Sequence, residues 1–315
     1  MARKTVMPYV LSSLLGSLAL TSYASDPASC QTVRFAEVGW ADISATTALS
    51  SVVLDGLGYK TSSQLASIPM AYAGMQRKNL DVFLGGWMPS IESMAKPFLD
   101  DGSVERVRTN LLGAKYTLAV PDYLHEQGLK DFADIAKFKD QLKGRIYGIE
   151  SGNDGNVIID GLIKANQFSL GDFKLVESSE AGMLSQVRRA TSAKQPVVFL
   201  AWEPHPMNSN FSIRYLSGGD ESFGPNYGAA VVDTHVRKGY LQECPNVGKL
   251  LNNLEFQLGM ENEVMDAIIN QKADPRAAAT DWLKKNPQVL QGWLQGVTHF
   301  DGTEALPAVN KTLGL

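Results

Sequence analysis

The stretch Leu112-Gly113-Ala114-Lys115-Tyr116-Thr117-Leu118-Ala119-Val120 decides how this chain is built. A glycine-containing turn runs straight into a β-type run, and the same pairing recurs at Phe223-Gly224-Pro225-Asn226-Tyr227-Gly228-Ala229-Ala230-Val231-Val232. Such a turn concentrates backbone rotation in a few residues, which is the property of a hinge. At 315 residues the chain is long enough for two packed domains, each with its own core. No Pro-, Gly- or Ser-rich linker divides it into two consecutive parts. The two hinge-like segments remove the difficulty if the chain leaves one lobe at the first and returns at the second. Lobe I then comprises 25–113 with 224–315, and lobe II comprises 114–223.

Away from the hinges, short β-type runs alternate with longer helical patterns, the mark of an α/β architecture. Strands are expected at Thr32–Glu37, Val82–Gly85, Tyr116–Val120, Arg145–Ile149, Val197–Ala201, Ile213–Leu216 and Gly228–Val232, and helices at Ile43–Leu57, Met70–Arg77, Ile91–Leu99, Asp131–Phe138, Val157–Asn166, Glu180–Ala190, Val247–Asn253, Glu261–Gln271, Pro275–Asn286 and Pro287–Leu294. With 44% apolar and 20% charged residues and a net charge of -4, nothing suggests disorder. Lys and Arg are scattered rather than clustered, so no nucleic acid is expected as a partner.

Arg3 and Lys4, an apolar stretch from Val6 to Leu20, and Ser22-Tyr23-Ala24 form the three parts of a secretory leader over 1–24, cleaved near Ala24. The stretch falls short of the roughly 20 apolar residues of a membrane span. Export exposes the only two cysteines, Cys30 and Cys244, to an oxidising compartment, where an even count favours a disulfide over two unrelated buried thiols.

Enzyme signatures are absent: there is no G-x-S-x-G elbow and no phosphate loop, and Gly56-Leu57-Gly58 stops short of a dinucleotide fingerprint. His125, His205, His235 and His299 lie far apart, without metal-ligand spacing. No cofactor or metal is expected. The aromatic residues are more informative. Trp40, Trp87 and Trp202 each follow a β-type run and have small residues beside them. In open α/β sheets the ligand crevice lies outside the carboxyl ends of strands, so three of the five tryptophans point to one place. Any one of them alone reads as well as a core residue. A cluster of rings free of basic side chains suits a cation that has no N–H to donate, such as a methylated ammonium.

Five ordered blocks resemble the substrate-binding proteins of ABC importers for choline, glycine betaine and carnitine, the periplasmic choline binders above all. They are Gly39-Trp40-Ala41-Asp42, Gly86-Trp87-Met88-Pro89, Ala114-Lys115-Tyr116, Glu150-Ser151-Gly152-Asn153-Asp154-Gly155-Asn156 and Ala201-Trp202-Glu203-Pro204-His205. The resemblance implies a two-lobed periplasmic clamp of type II with two interlobe crossings. It implies a box of Trp40, Trp87, Tyr116 and Trp202 around a trimethylammonium group, with Asp42 and Asn153 bonded to a choline hydroxyl. Transmembrane subunits of an importer would be the partners of a monomeric protein.

Asp42, two residues from Trp40, favours choline over the zwitterions, whose carboxylate it would repel. The amides of the Ser151–Asn156 loop, or His205, could still receive a zwitterion's carboxylate. Asp42 also reads as a helix N-cap, Asn153 as a turn residue, and His205 as structural. A periplasmic choline-ester hydrolase is the enzyme alternative.

Overall fold

The computed structural model describes Met1 and residues 26–315. Nearly all of the expected leader, with its cleavage site, lies outside the described residues. Nine strands follow in chain order: β1 Thr32–Glu37, β2 Lys60–Leu65, β3 Val82–Met88, β4 Val104–Pro121, β5 Arg145–Tyr147, β6 Lys174–Val176, β7 Phe199–Glu203, β8 Ile213–Tyr215 and β9 Ala229–Arg237. They form one sheet in the order β2-β1-β3-β9-β4-β7-β5-β6, with β8 joined to β4. Parallel pairs lie at the two ends. The middle, where the halves meet, is antiparallel.

The joint is β4, whose 18 residues serve both halves. Its first part pairs with β9, from Val104 opposite Arg237 to Lys115 opposite Ala229. Its second part pairs with β7, from Lys115 opposite Glu203 to Ala119 opposite Phe199. The changeover at Lys115 lies inside the first hinge-like segment. The return begins at Gly224, with φ of 103°, and Asn226, Tyr227 and Gly228 follow at 54°, 64° and 71°. A Cβ on Gly228 would collide with the Tyr116 carbonyl oxygen, so glycine is what lets the outgoing and returning strands touch.

Both chain ends build the same half. Helix α1 (Ala41–Gly56) is buried along almost its whole length. Its Ala, Ser, Thr and Val positions leave no polar face, as befits a helix covered on all sides. The C-terminal helices Leu258–Ile269, Pro275–Lys285 and Ala305–Leu313 pack around it. Cys30 and Cys244 form a disulfide with Cα atoms 5.6 Å apart across 214 residues of sequence. Beside it Asp26 accepts hydrogen bonds from the amides of Asn246 (2.7 Å) and Val247 (3.1 Å), in the first turn of the helix Pro245–Asn253.

Several expected boundaries move. Strands β2 and β6 were not anticipated, nor was the first part of β4. In β2, Lys-Thr-Ser-Ser-Gln-Leu is a polar, mostly exposed edge strand held by β1 alone. In β4, charged residues are sustained by partners on β9, such as Arg106 with Asp233 at 2.5 Å. The helix expected at Asp131–Phe138 is a 3-10 helix, Phe132–Phe138, started by a capping box between Asp131 and Asp134. Trp87 and Trp202 are the penultimate residues of β3 and β7 rather than residues beyond them.

Candidate ligand site

A small cavity is lined by Trp40, Asp42, Trp87, Tyr116, Ile149, Asp154 and Trp202. Local geometry explains why these side chains converge. Trp40 is the extended residue that precedes α1, with φ -93° and ψ 144°, and Asp42 stands in that helix's first turn. The register between β3 and β9 slips between Phe83 and Gly86, just before Trp87; such a bulge re-aims the side chains next to it. Tyr116 and Trp202 face each other directly across β4 and β7, so their rings share one face of the sheet. Their centroids are 6.2 Å apart, and Trp87 is 5.9 Å from Tyr116.

The rings are anchored by their polar edges. Trp87 Nε1 donates to Asp42 Oδ2 at 2.9 Å. Trp40 Nε1 donates to Glu150 Oε1 at 2.6 Å. The Tyr116 hydroxyl donates to Asn153 Oδ1 at 3.0 Å, and a Cβ on Gly155 would collide with that hydroxyl. The ring faces are thereby left for the cavity. His205 packs behind Trp202 at 5.0 Å between ring centroids. Its Nδ1 accepts from the Met207 amide (2.9 Å), which leaves Nε2 to carry the proton donated to Glu180 Oε1 (3.1 Å).

The electrostatics are one-sided. No lysine, arginine or histidine lines the cavity. Asp42 is 2% exposed and its Oδ1 has no hydrogen-bond partner. Burial first, then the charge of Glu180, lifts its carboxyl from 3.8 to about 7, against the pull of the Trp87 N–H. Burial also raises Asp154, Glu150 and Glu261. An uncompensated buried carboxylate is costly, so this cavity is built to be completed by positive charge.

Of the residues expected from sequence, Trp40, Asp42, Trp87, Tyr116 and Trp202 line the cavity together. Asp42 is not the cap of α1, since Trp40 holds that position. Asn153 stands directly behind the wall. It caps the helix α2 (Asp154–Lys164) by accepting from the Asn156 amide at 3.1 Å and donates from Nδ2 to Asp154 Oδ1 at 2.9 Å. Sequence reasoning missed Asp154, Glu150, Glu180 and Glu261. The first two lie in the block that contains Asn153, where acid beside a glycine loop was a usable signal. Glu180 and Glu261 come from distant helices and leave no local trace.

Residues 31–285 match the family described as the substrate-binding domain of the ABC-type glycine betaine transport system. The chain belongs to that family. It is a transport binding protein and not an enzyme, which sets aside the hydrolase alternative. A solved ABC-transporter choline binding protein in complex with choline is 55% identical, with a TM-score of 0.90 over 92% of this chain and all of that one. A structure of an ABC-transporter choline binding protein in an unliganded semi-closed conformation is 56% identical, with a TM-score of 0.84 over 91% of this chain and all of that one. The glycine betaine/carnitine transport binding protein GbuC of Listeria monocytogenes is 31% identical over 52% of this chain and 54% of its own length. The two-lobed α/β fold expected from sequence is that of these structures. Among the described residues no helix is long and apolar enough to cross a membrane.

Proposed function

We propose that this family member is the solute receptor of an ABC importer and that its ligand is choline, enclosed between two lobes that close around it. The carrying observation is a cavity walled by four aromatic rings, without a basic residue, and lined by two buried carboxylates that each keep an oxygen without a hydrogen-bond partner. Ring faces attract a methylated ammonium by about 0.5–2 kcal/mol each, more when water is excluded. The free oxygen of Asp42 would accept the hydroxyl hydrogen, and the remaining Nδ2 proton of Asn153 would serve the hydroxyl oxygen. Lobe I is taken as 25–113 with 224–315 and lobe II as 114–223, so Trp40, Asp42 and Trp87 face Tyr116, Asn153 and Trp202. The receptor would work as a monomer in the periplasm after loss of residues 1–24, delivering its ligand to the importer's transmembrane subunits.

Titration of the purified protein with choline, glycine betaine and carnitine by calorimetry tests this reading. Choline should bind at micromolar concentration or below, about -8 kcal/mol or better, and ahead of both zwitterions. A preference for either zwitterion would overturn the assignment.

A further inference from the structure

We infer that Asp154, the first residue of α2, is a second specificity-determining carboxylate of the box, set against Asp42 so that cations are admitted and zwitterions turned away. This rests on the methylammonium reading above and adds a residue and a role to it. Asp154 is 1% exposed and lines the cavity. Its Oδ1 accepts from Asn153 Nδ2 at 2.9 Å and lies 3.4 Å from the Tyr116 hydroxyl, whose one proton goes to Asn153, while Oδ2 has no partner. The neighbouring Ser90 hydroxyl is spent on the Trp87 carbonyl at 3.1 Å. With Ser90 so engaged, Asp154 keeps one acceptor oxygen without a partner, which only a turn of that hydroxyl could satisfy from the protein's side.

The two carboxylates come from different places, Asp42 from the start of α1 and Asp154 from the start of α2. With Asp42 alone, a betaine could lie with its carboxylate pointing away from the acid. A second acid on the other side of the changeover at Lys115 removes that orientation. Backbone donors that could rescue a ligand carboxylate are taken at two places beside the box. The Ala41 amide donates to Glu180 Oε2 at 3.0 Å, and the Asn156 amide to Asn153 Oδ1 at 3.1 Å. In the loop that the sequence offered as an anion cradle, the amides of Asn153 and Asn156 are thus already taken.

The test is calorimetric titration of Asp154→Asn, which keeps the size and the acceptor for Asn153, with choline, tetramethylammonium and glycine betaine. The wild-type preference for choline over glycine betaine should fall tenfold or more, and tetramethylammonium should weaken alongside choline because the effect is one of charge. Asp154→Ser, which keeps a good helix-start residue, should reproduce the change if the first variant folds poorly. An unchanged choline-to-betaine ratio in both variants, or unaltered tetramethylammonium binding, would overturn the role of Asp154 and leave the box itself standing. A wild-type protein that binds none of the three compounds would instead remove the methylammonium reading, and this inference with it.

Discussion

At Trp87 the ring and its N–H do separate jobs. The ring face forms a wall of the cavity, while the N–H holds Asp42 Oδ2 at 2.9 Å and keeps that carboxylate more acidic than burial alone would leave it. Trp87→Phe keeps a ring and removes the bond, whereas Trp87→Ala removes both. Choline affinity should fall several-fold for the first and about 10- to 100-fold for the second, since the lost cation–ring attraction is about 0.5–2 kcal/mol and a void is added. Titration of both variants checks this, and equal, small losses would return Trp87 to the core. The aromatic positions were legible because each large ring sits among small residues at the end of an apolar run. The acids were not. A carboxylate's role depends on which partner folding brings to it, and Glu180 reaches Ala41 across 139 positions of sequence.

Helices and strands show the same division. Strand β1 and helix α1 were readable from apolar runs and their spacing, whereas β2 has no apolar face and exists because β1 offers it a parallel register. The disulfide lies between these cases, since two cysteines in an exported chain imply a bond but not what it fastens. It fastens the entry to β1 onto the start of the helix Pro245–Asn253, where Asp26 caps the amides of Asn246 and Val247. Closing so long a loop restricts the unfolded chain by about 5.4 kcal/mol in the chain-entropy model. Replacing both cysteines with serine should lower the unfolding free energy by about 2–5 kcal/mol in denaturant titrations. Choline affinity should stay within about twofold of wild type, because neither cysteine lines the cavity. A large loss of affinity at unchanged stability would contradict this division of labour.

In the proposed clamp, closure of the whole molecule would gather the acids into one place, and this would make it depend on pH. Asp42 faces the charges of Glu180 and Glu261, with Glu150 and Asp154 in the same region. Burial first, then Glu180, lifts its carboxyl from 3.8 to about 7. Between those values the closed protein binds a proton that the unfolded chain does not. The stability of the empty closed form is therefore greatest near pH 4 and falls as pH rises, by up to about 1.4 kcal/mol per unit, levelling off above about pH 7. Across the whole interval this amounts to about 4 kcal/mol of folding stability; the part of it that parting the lobes relieves disfavours empty closure at neutral pH. A quaternary ammonium in the box reverses the preference by stabilising the ionised carboxylate. The ligand-free protein should accordingly become more compact by X-ray scattering between pH 8 and pH 5.5, while the choline-loaded protein stays compact at both. The rise in melting temperature on adding choline should also be larger at pH 8 than at pH 5.5. Equal rises at the two pH values would mean that Asp42 stays ionised throughout and that closure is indifferent to its charge.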